Sequence, residues 1–296
     1  MTALPPLQPL HPGDTVAIVA PSGPFPRDRY ERGRAVLEAR GLRVREFLPT
    51  RARRYLAGSD EERLAGLHAA FADPEVRAVF AARGGYGGMR LLPGLDLALL
   101  ASSGKALVGF SDVTALHLAL QRAGARSVHG PVVTRLGEEP PEALDRLFEL
   151  LAGRTPAPLP GKTLVPGSAT GRLLGGNLSV LTRLVGTRWL PSLEGAILLL
   201  EDVGERPYRL DRMWTHLPLA GLLEPIAGIV LGDFTGCDDP AAGVEAQEVM
   251  AELVASLGKP ALAGFPIGHG GVHLAVPLGA RVRIDDGVLS FAEGIA

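Results

Sequence analysis

Ala106-Leu-Val-Gly-Phe-Ser-Asp-Val-Thr-Ala-Leu-His117 is the stretch on which the fold turns. Ala106 to Gly109 is a short apolar run that reads as a buried strand. Val113 to Arg122 reads as the helix that follows. The chain therefore reverses at Phe110-Ser111-Asp112, and a strand that gives way to a helix within three residues is the unit of a parallel α/β layer, whose neighbouring strands need a crossover.

The same alternation runs outward from there. Thr15 to Ala20 predicts a strand, Arg27 to Ala39 a helix, Arg43 to Phe47 a strand, Asp60 to Phe71 a helix, and Ala78 to Ala81 a further strand, with Ser127 to His129 as one more after the central helix. Between Gly153 and Gly171 the residues Pro156, Pro158, Pro160, Gly161, Pro166 and Gly167 interrupt regular patterning, as a linker would. Beyond it, Ala196 to Leu200 and Gly228 to Leu231 read as strands, Leu210 to Leu217 and Gly243 to Leu257 as helices. Arg281 to Asp285 and Val288 to Phe291 form a strand pair joined by Asp286-Gly287, a strong hairpin signal. The expected class is α/β. An N-terminal doubly wound, mainly parallel sheet domain (1–153) and a linker (154–170) precede a C-terminal α+β domain with antiparallel strands (171–296).

With 46% hydrophobic and 21% charged residues, the 296-residue chain has material for substantial cores and no mark of wholesale disorder. Thirty basic against 32 acidic residues give a net charge of −2, without the basic footprint of a nucleic-acid binder. A lone cysteine, Cys237, excludes an internal disulfide and a cysteine-based zinc site. Met1 to Pro12 shows no basic region followed by an apolar one, and apolar runs such as Ala196 to Leu200 are too short to span a bilayer. A cytoplasmic protein acting on a small molecule or peptide, with no nucleic-acid or membrane partner, is the expectation.

Four segments carry groups with chemical potential. Ser111 sits where a nucleophile elbow would lift a hydroxyl from the sheet edge and set the Asp112 N–H beside a helix start. Taken alone, Ser111 or Asp112 is also an ordinary helix cap. Ala82-Arg-Gly-Gly-Tyr-Gly-Gly-Met-Arg90 follows a strand with four glycines, enough for backbone to approach a ligand closely. It is neither a dinucleotide loop nor a P-loop. Glu201 and Asp202 close the apolar strand Ala196 to Leu200, where a carboxylate can orient a histidine or simply form a salt bridge. Gly264-Phe-Pro-Ile-Gly-His-Gly-Gly-Val-His273 offers His269 and His273, either one suited to general base chemistry. Their spacing invites a zinc reading, but the metalloprotease form needs a helix and a Glu after the first His, where this chain has Gly270-Gly271.

Taken in order, these motifs resemble the LD-carboxypeptidase family of serine peptidases, which includes the microcin C immunity peptidases. The resemblance rests on Gly13-Asp-Thr-Val-Ala-Ile-Val-Ala-Pro-Ser22, Arg83-Gly-Gly-Tyr-Gly87, Gly109-Phe-Ser-Asp112, Gly175-Gly-Asn-Leu178, Leu200-Glu-Asp202, Tyr208-Arg-Leu-Asp-Arg212 and Gly268-His269. It implies a triad of Ser111, Glu201 and His269, with oxyanion donors at the amides of Asp112 and Gly85, Gly84 being the alternative to the latter. His273 lies beyond the matched dipeptide and receives no catalytic role. The resemblance implies a murein tetrapeptide substrate that loses its terminal D-alanine, a homodimer, and no cofactor or metal. Arginine suits a free carboxylate, so Arg83 and Arg206, together with Asn177, are the expected substrate contacts. The other readings are a peptidase of the same family acting on a peptide-nucleotide, which calls for aromatic stacking, and a catalytically silent binding protein. Because Ser111 lies in the first half and Glu201 and His269 in the second, the site must form between the domains.

Overall fold

The computed structural model describes residues 6–295, so the outermost positions of both expected domains, Met1–Pro5 and Ala296, lie outside it. Strands β1 (Thr15–Val19), β2 (Arg43–Phe47), β3 (Val76–Ala81), β4 (Ala106–Gly109) and β5 (Ser127–His129) come first. They are followed by β6 (Leu159–Pro160), β7 (Lys162–Val165), β8 (Ala169–Asn177), β9 (Ile197–Val203), β10 (Gly228–Thr235), β11 (Ala261–Ala263), β12 (Val276–Leu278), β13 (Arg281–Asp285) and β14 (Val288–Phe291). The first sheet has the order β12-β5-β4-β3-β1-β2, with β1 to β5 parallel and β12 antiparallel on the edge. β1 and β4 are buried at every residue, as parallel strands covered by helices on both faces must be. Strand order reverses between β1 and β3. The loops after those two strands therefore part at the sheet's carboxyl edge, where open α/β sheets bind ligands.

The second sheet runs β6-β14-β13-β8-β9-β10-β11-β7, a parallel centre of β8 to β11 flanked by antiparallel strands. Asp286 (φ 44°) and Gly287 (φ 76°) make the tight turn between β13 and β14 that the Asp-Gly pair predicts. The expected architecture of a parallel α/β domain joined to a unit with antiparallel strands is thus the one observed.

Two segments depart from the linear division of the chain. The stretch 154–170, read as a linker, carries β6, β7 and the first residues of β8. β6 and β7 are the two edges of the second sheet, the positions where a strand tolerates a proline such as Pro160. The C-terminal half also returns to the first sheet: β12 pairs with β5, Val276 opposite His129. Pro277 again sits on an edge strand.

β9 runs on through Glu201, Asp202 and Val203 instead of ending at Leu200, because β8 and β10 pair with it along that length. The helix expected over Leu210–Leu217 spans Pro207–Leu219, opening on a proline whose missing N–H is not needed there.

The two sheets meet through the helix Thr114–Arg122 that follows the Phe110-Ser111-Asp112 turn. Every residue from Thr114 to Gln121 is buried, with Leu116, Leu118 and Leu120 in one apolar cluster with Leu174, Leu178 and Leu198 of the second half. Each such leucine contributes roughly 1.5–3 kcal/mol by leaving water. Polar contacts fix the register: Asn177 N–H donates to Thr114 Oγ1 (3.1 Å) and Gly175 N–H to Gln121 Oε1 (3.2 Å). Gly176, at φ 134°, is required here, since a Cβ would stand 2.7 Å from Thr114 Oγ1. Among the described residues, no helix is long and apolar enough to cross a membrane.

Candidate active site

Ser111 opens a short 3₁₀ turn directly after β4, with φ at 62°. Left-handed backbone at a serine costs energy and is the signature of a nucleophile elbow. What holds it there is the frame around Asp112. The buried Asp112 carboxylate accepts from Ser22 Oγ (2.6 Å), after β1, and from Gly88 N–H (2.7 Å), at the end of the glycine turn after β3. Arg63, fully buried, gives Nη1 to the carbonyls of Pro21 and Gly87, tying the same two loops from the other side. The Asp112 side chain is therefore committed to the scaffold, which leaves its backbone amide as the part that can face a ligand.

Gly84 packs on Ser111: a Cβ on Gly84 would lie 2.9 Å from Ser111 Cβ and 3.1 Å from its Oγ. The Gly84 carbonyl accepts from Gly23 N–H at 3.0 Å. Across a trans peptide the N–H of Gly85 then points away from Gly23. Among the described residues neither glycine donates its N–H to a protein acceptor.

Glu201 and His269 are brought together. His269 Nδ1 lies 2.7 Å from Glu201 Oε2, and the carboxylate, 0% exposed, can only accept, so Nδ1 carries the proton and Nε2 is left as a base. Burial alone would raise the Glu201 carboxyl, but the imidazoles of His129 and His269 outweigh it and hold it down at about 2. The loop bearing His269 is glycine-rich for steric reasons. A Cβ on Gly268 (φ 130°) would stand 2.7 Å from Glu201 Oε2, and one on Gly270 2.5 Å from Asp233 Oδ2. Gly270 N–H donates to that Asp233 oxygen (3.2 Å), while Arg135 Nη2 donates to Gly270 O (2.9 Å) and Glu139 accepts from His273 N–H (2.8 Å). Burial pushes Asp233 up to about 6.

Ser111, His269, Gly84 and Gly85 line one cavity of about 390 Å³, together with Phe110 and three arginines, Arg29, Arg83 and Arg135. A serine on a strained elbow, an imidazole with a free nitrogen, unpaired backbone amides and converging cations together provide for acyl transfer from a substrate bearing a carboxylate.

The other sequence-predicted contacts lie elsewhere. Asn177 is 3% exposed, its side chain accepting from Val180 N–H and donating to Asp202 as the cap of the helix Leu178–Arg183. Arg206 reaches Asp238 O (3.3 Å) and stands 3.8 Å from Asp239, outside the cavity lining. Arg29, Arg135 and the buried His129 are residues that sequence reasoning missed. A histidine at the carboxyl end of a parallel strand was the one available signal for His129.

The chain is similar to known proteins over nearly its whole length. Residues 16–130 match the model of the LD-carboxypeptidase N-terminal domain and residues 170–284 that of the LD-carboxypeptidase C-terminal domain. A putative carboxypeptidase of Synechocystis is 41% identical, covering 96% of each chain. The murein tetrapeptide carboxypeptidase of Pseudomonas aeruginosa is 38% identical over 91% of this chain and 92% of its own. The crystal structure of the muramoyltetrapeptide carboxypeptidase from Oxalobacter formigenes superposes with a TM-score of 0.85 at 34% identity, covering 95% of this chain and 98% of that one. The microcin C7 self-immunity protein MccF of Escherichia coli is a more distant relative, 27% identical over 94% of this chain and 92% of its own. With both domain models matched in order and relatives aligned over nearly their whole length, the chain belongs to the LD-carboxypeptidase family.

Proposed function

We propose that this protein is a serine-type LD-carboxypeptidase that removes the terminal D-alanine from murein tetrapeptides in the cytoplasm, as part of cell-wall recycling. The observation that carries the reading is the strained Ser111 opening on the same cavity as His269, whose Nδ1 is held 2.7 Å from the buried Glu201.

In this mechanism His269 Nε2 takes the proton from Ser111 Oγ, which attacks the scissile carbonyl, while Glu201 stabilises the imidazolium that forms. The N–H groups of Asp112 and Gly85 receive the developing oxyanion, each such donor being worth about 3 kcal/mol. The imidazolium passes its proton to the departing D-alanine amine, and a water activated by the same imidazole then hydrolyses the acyl-enzyme. Of the arginines lining the cavity, Arg29 and Arg135 are paired with Glu138 and Glu139, and Arg83, which makes no ion pair among the described residues, is the cation for the free carboxylate that marks a chain terminus. A homodimer is the assembly the family resemblance suggests. The peptide-nucleotide substrate of the microcin branch is disfavoured because Trp214 is 4% exposed and neither it nor Trp189 lines the cavity.

The test is mass analysis of an L,D-linked murein tetrapeptide and its all-L counterpart after incubation with the protein. Loss of one alanine from the first alone, abolished in Ser111→Ala along with fluorophosphonate labelling, is the expected result. An unchanged L,D-tetrapeptide would refute the substrate, and labelling retained in Ser111→Ala would refute the nucleophile.

A further inference from the structure

The proposed triad uses only one oxygen of Glu201. Its Oε1 is fully buried and has no hydrogen-bond partner among the described residues. Opposite it, 3.8 Å away, is the Nε2 of His129, equally buried and equally without a partner. Two unsatisfied polar atoms facing each other in the interior are costly, and an approach of about 0.8 Å would join them in an ordinary hydrogen bond. His129 is not free to turn away. Its backbone is fixed in β5 between β4 and β12, and its Nδ1 lies 3.0 Å from His273 Nε2. His273 is anchored in turn by its N–H to Glu139, and the Phe110 ring packs on His269 (4.6 Å), His273 (4.5 Å) and His129 (6.0 Å).

The protonation pattern follows from the acceptors. A carboxylate cannot donate, so His129 turns Nε2–H toward Glu201, and its bare Nδ1 accepts from His273 Nε2–H. Burial lowers the pKa of His273 well below the usual histidine value, so it holds a single ring proton.

We propose that His129, fixed by His273, is a positioning residue for the triad: it supports Oε1 of the fully buried Glu201 while His269 occupies Oε2, so that the carboxylate stays ionised and correctly turned. The inference rests on the triad reading given above. It assigns a task to two histidines that the triad does not use, contributed by opposite halves of the chain.

Replacing His129 by Phe leaves burial acting on Glu201 against His269 alone. The Glu201–His269 pair then keeps its proton to higher pH, and the acidic limb of kcat/KM moves upward. The other ionisable groups around the pair are Asp202 beside Glu201, Asp233 on β10, His117 behind His129, and Glu139 with its partner Arg135 near His273. They are common to wild type and variant.

The experiment compares His129→Phe, His129→Gln and Glu201→Gln on the L,D-tetrapeptide across pH, with thermal melting to verify folding. His129→Phe should lower kcat at least about tenfold, less than the roughly 10⁴-fold cost of an orienting carboxylate, with KM within about twofold and the acidic limb shifted up. His129→Gln, whose amide can donate to Oε1, should return the limb toward wild type. An unshifted limb in folded His129→Phe, with Glu201→Gln strongly impaired, would overturn the positioning role and leave the triad standing. An active Glu201→Gln would overturn the triad itself. Should His129→Phe not fold, His273→Leu carries the test, because it removes the donor that fixes the His129 tautomer and must move the limb the same way by a smaller amount.

Discussion

On one face of β9 Glu201 meets the imidazoles of His129 and His269; on the other, Asp202 meets the N–H groups of Ser179 and Val203 and the amide of Asn177. Both carboxyl groups are buried, and adjacent strand residues point to opposite faces. Their ionisation nonetheless diverges. Glu201 is held down at about 2, whereas burial and the charge of Glu201 push Asp202 up to about 6 even though backbone donors oppose the shift. Two adjacent acids thus serve different ends: in the proposed mechanism the first tunes a base, while the second accepts from Ser179 N–H and from the capping Asn177 and so ties the helix Leu178–Arg183 to the strand.

The sharpest way to break this comparison is to neutralise each acid in turn. Glu201→Gln should lower kcat by about 10³–10⁴-fold. Asp202→Asn should leave kcat within several-fold and cost about 1–3 kcal/mol of stability in urea unfolding, because buried donors lose an acceptor. Equal losses of kcat would show that the two faces are not functionally separate.

Next in size is Gly268→Ala, which strains a backbone at φ 130° and drives a methyl against Glu201 Oε2. A displacement of the His269 loop should cost about 10²-fold in kcat. On the scaffold side, Gly176→Ala presses on Thr114 Oγ1 from a residue at φ 134° and should lower stability by about 1–3 kcal/mol.

The smallest effect concerns an imidazole that touches no carboxylate. His117 gives Nε2–H to Gly109 O (2.9 Å) and accepts from Ser127 Oγ (2.8 Å), and burial lowers it to about 3. The unfolded chain binds a proton near the ordinary value of 6.5 and the folded chain does not, so stability is lost as pH falls below that value. The cost of His117→Gln at pH 8 should therefore shrink by about 2 kcal/mol at pH 5, measured by urea unfolding. A constant difference would mean that His117 titrates normally in the folded protein.

Much of this was legible in the sequence, for identifiable reasons. The elbow at Ser111 announces itself because a strand, a break and a helix follow one another within a dozen residues. Glu201 and His269 carry no such local mark: one ends an apolar run, the other sits in a glycine loop, and only the ordered set of motifs singled them out. Arg29 lies on the surface pattern of the helix Arg27–Ala39 and Arg135 on the four-residue helix Val133–Leu136, too short to leave a pattern; both reach the cavity only by folding. Among the described residues five strands were not predicted: β6, β7 and β12 are short edges that tolerate proline or glycine and look like loop, whereas the interior β8 is interrupted by Gly171, Gly175 and Gly176 and the interior β11 is only three residues long. Asn177 was misplaced for the converse reason, since a residue in a family motif can serve a helix cap as readily as a ligand.

The return of β12 to the first sheet has a mechanical consequence. Among the described residues the polypeptide passes between the two sheets three times: before β6, before β12, and again through the two residues Gly279-Ala280 between β12 and β13. A hinge needs a few residues free to absorb a change of direction. Here the shortest tether allows almost none, and it lies beside the strand that carries His129. A proteolytic nick in the stretch before β6 should leave the halves clasped, with the distance from Ser111 to His269 set by the weave of the chain more than by the strength of an interface.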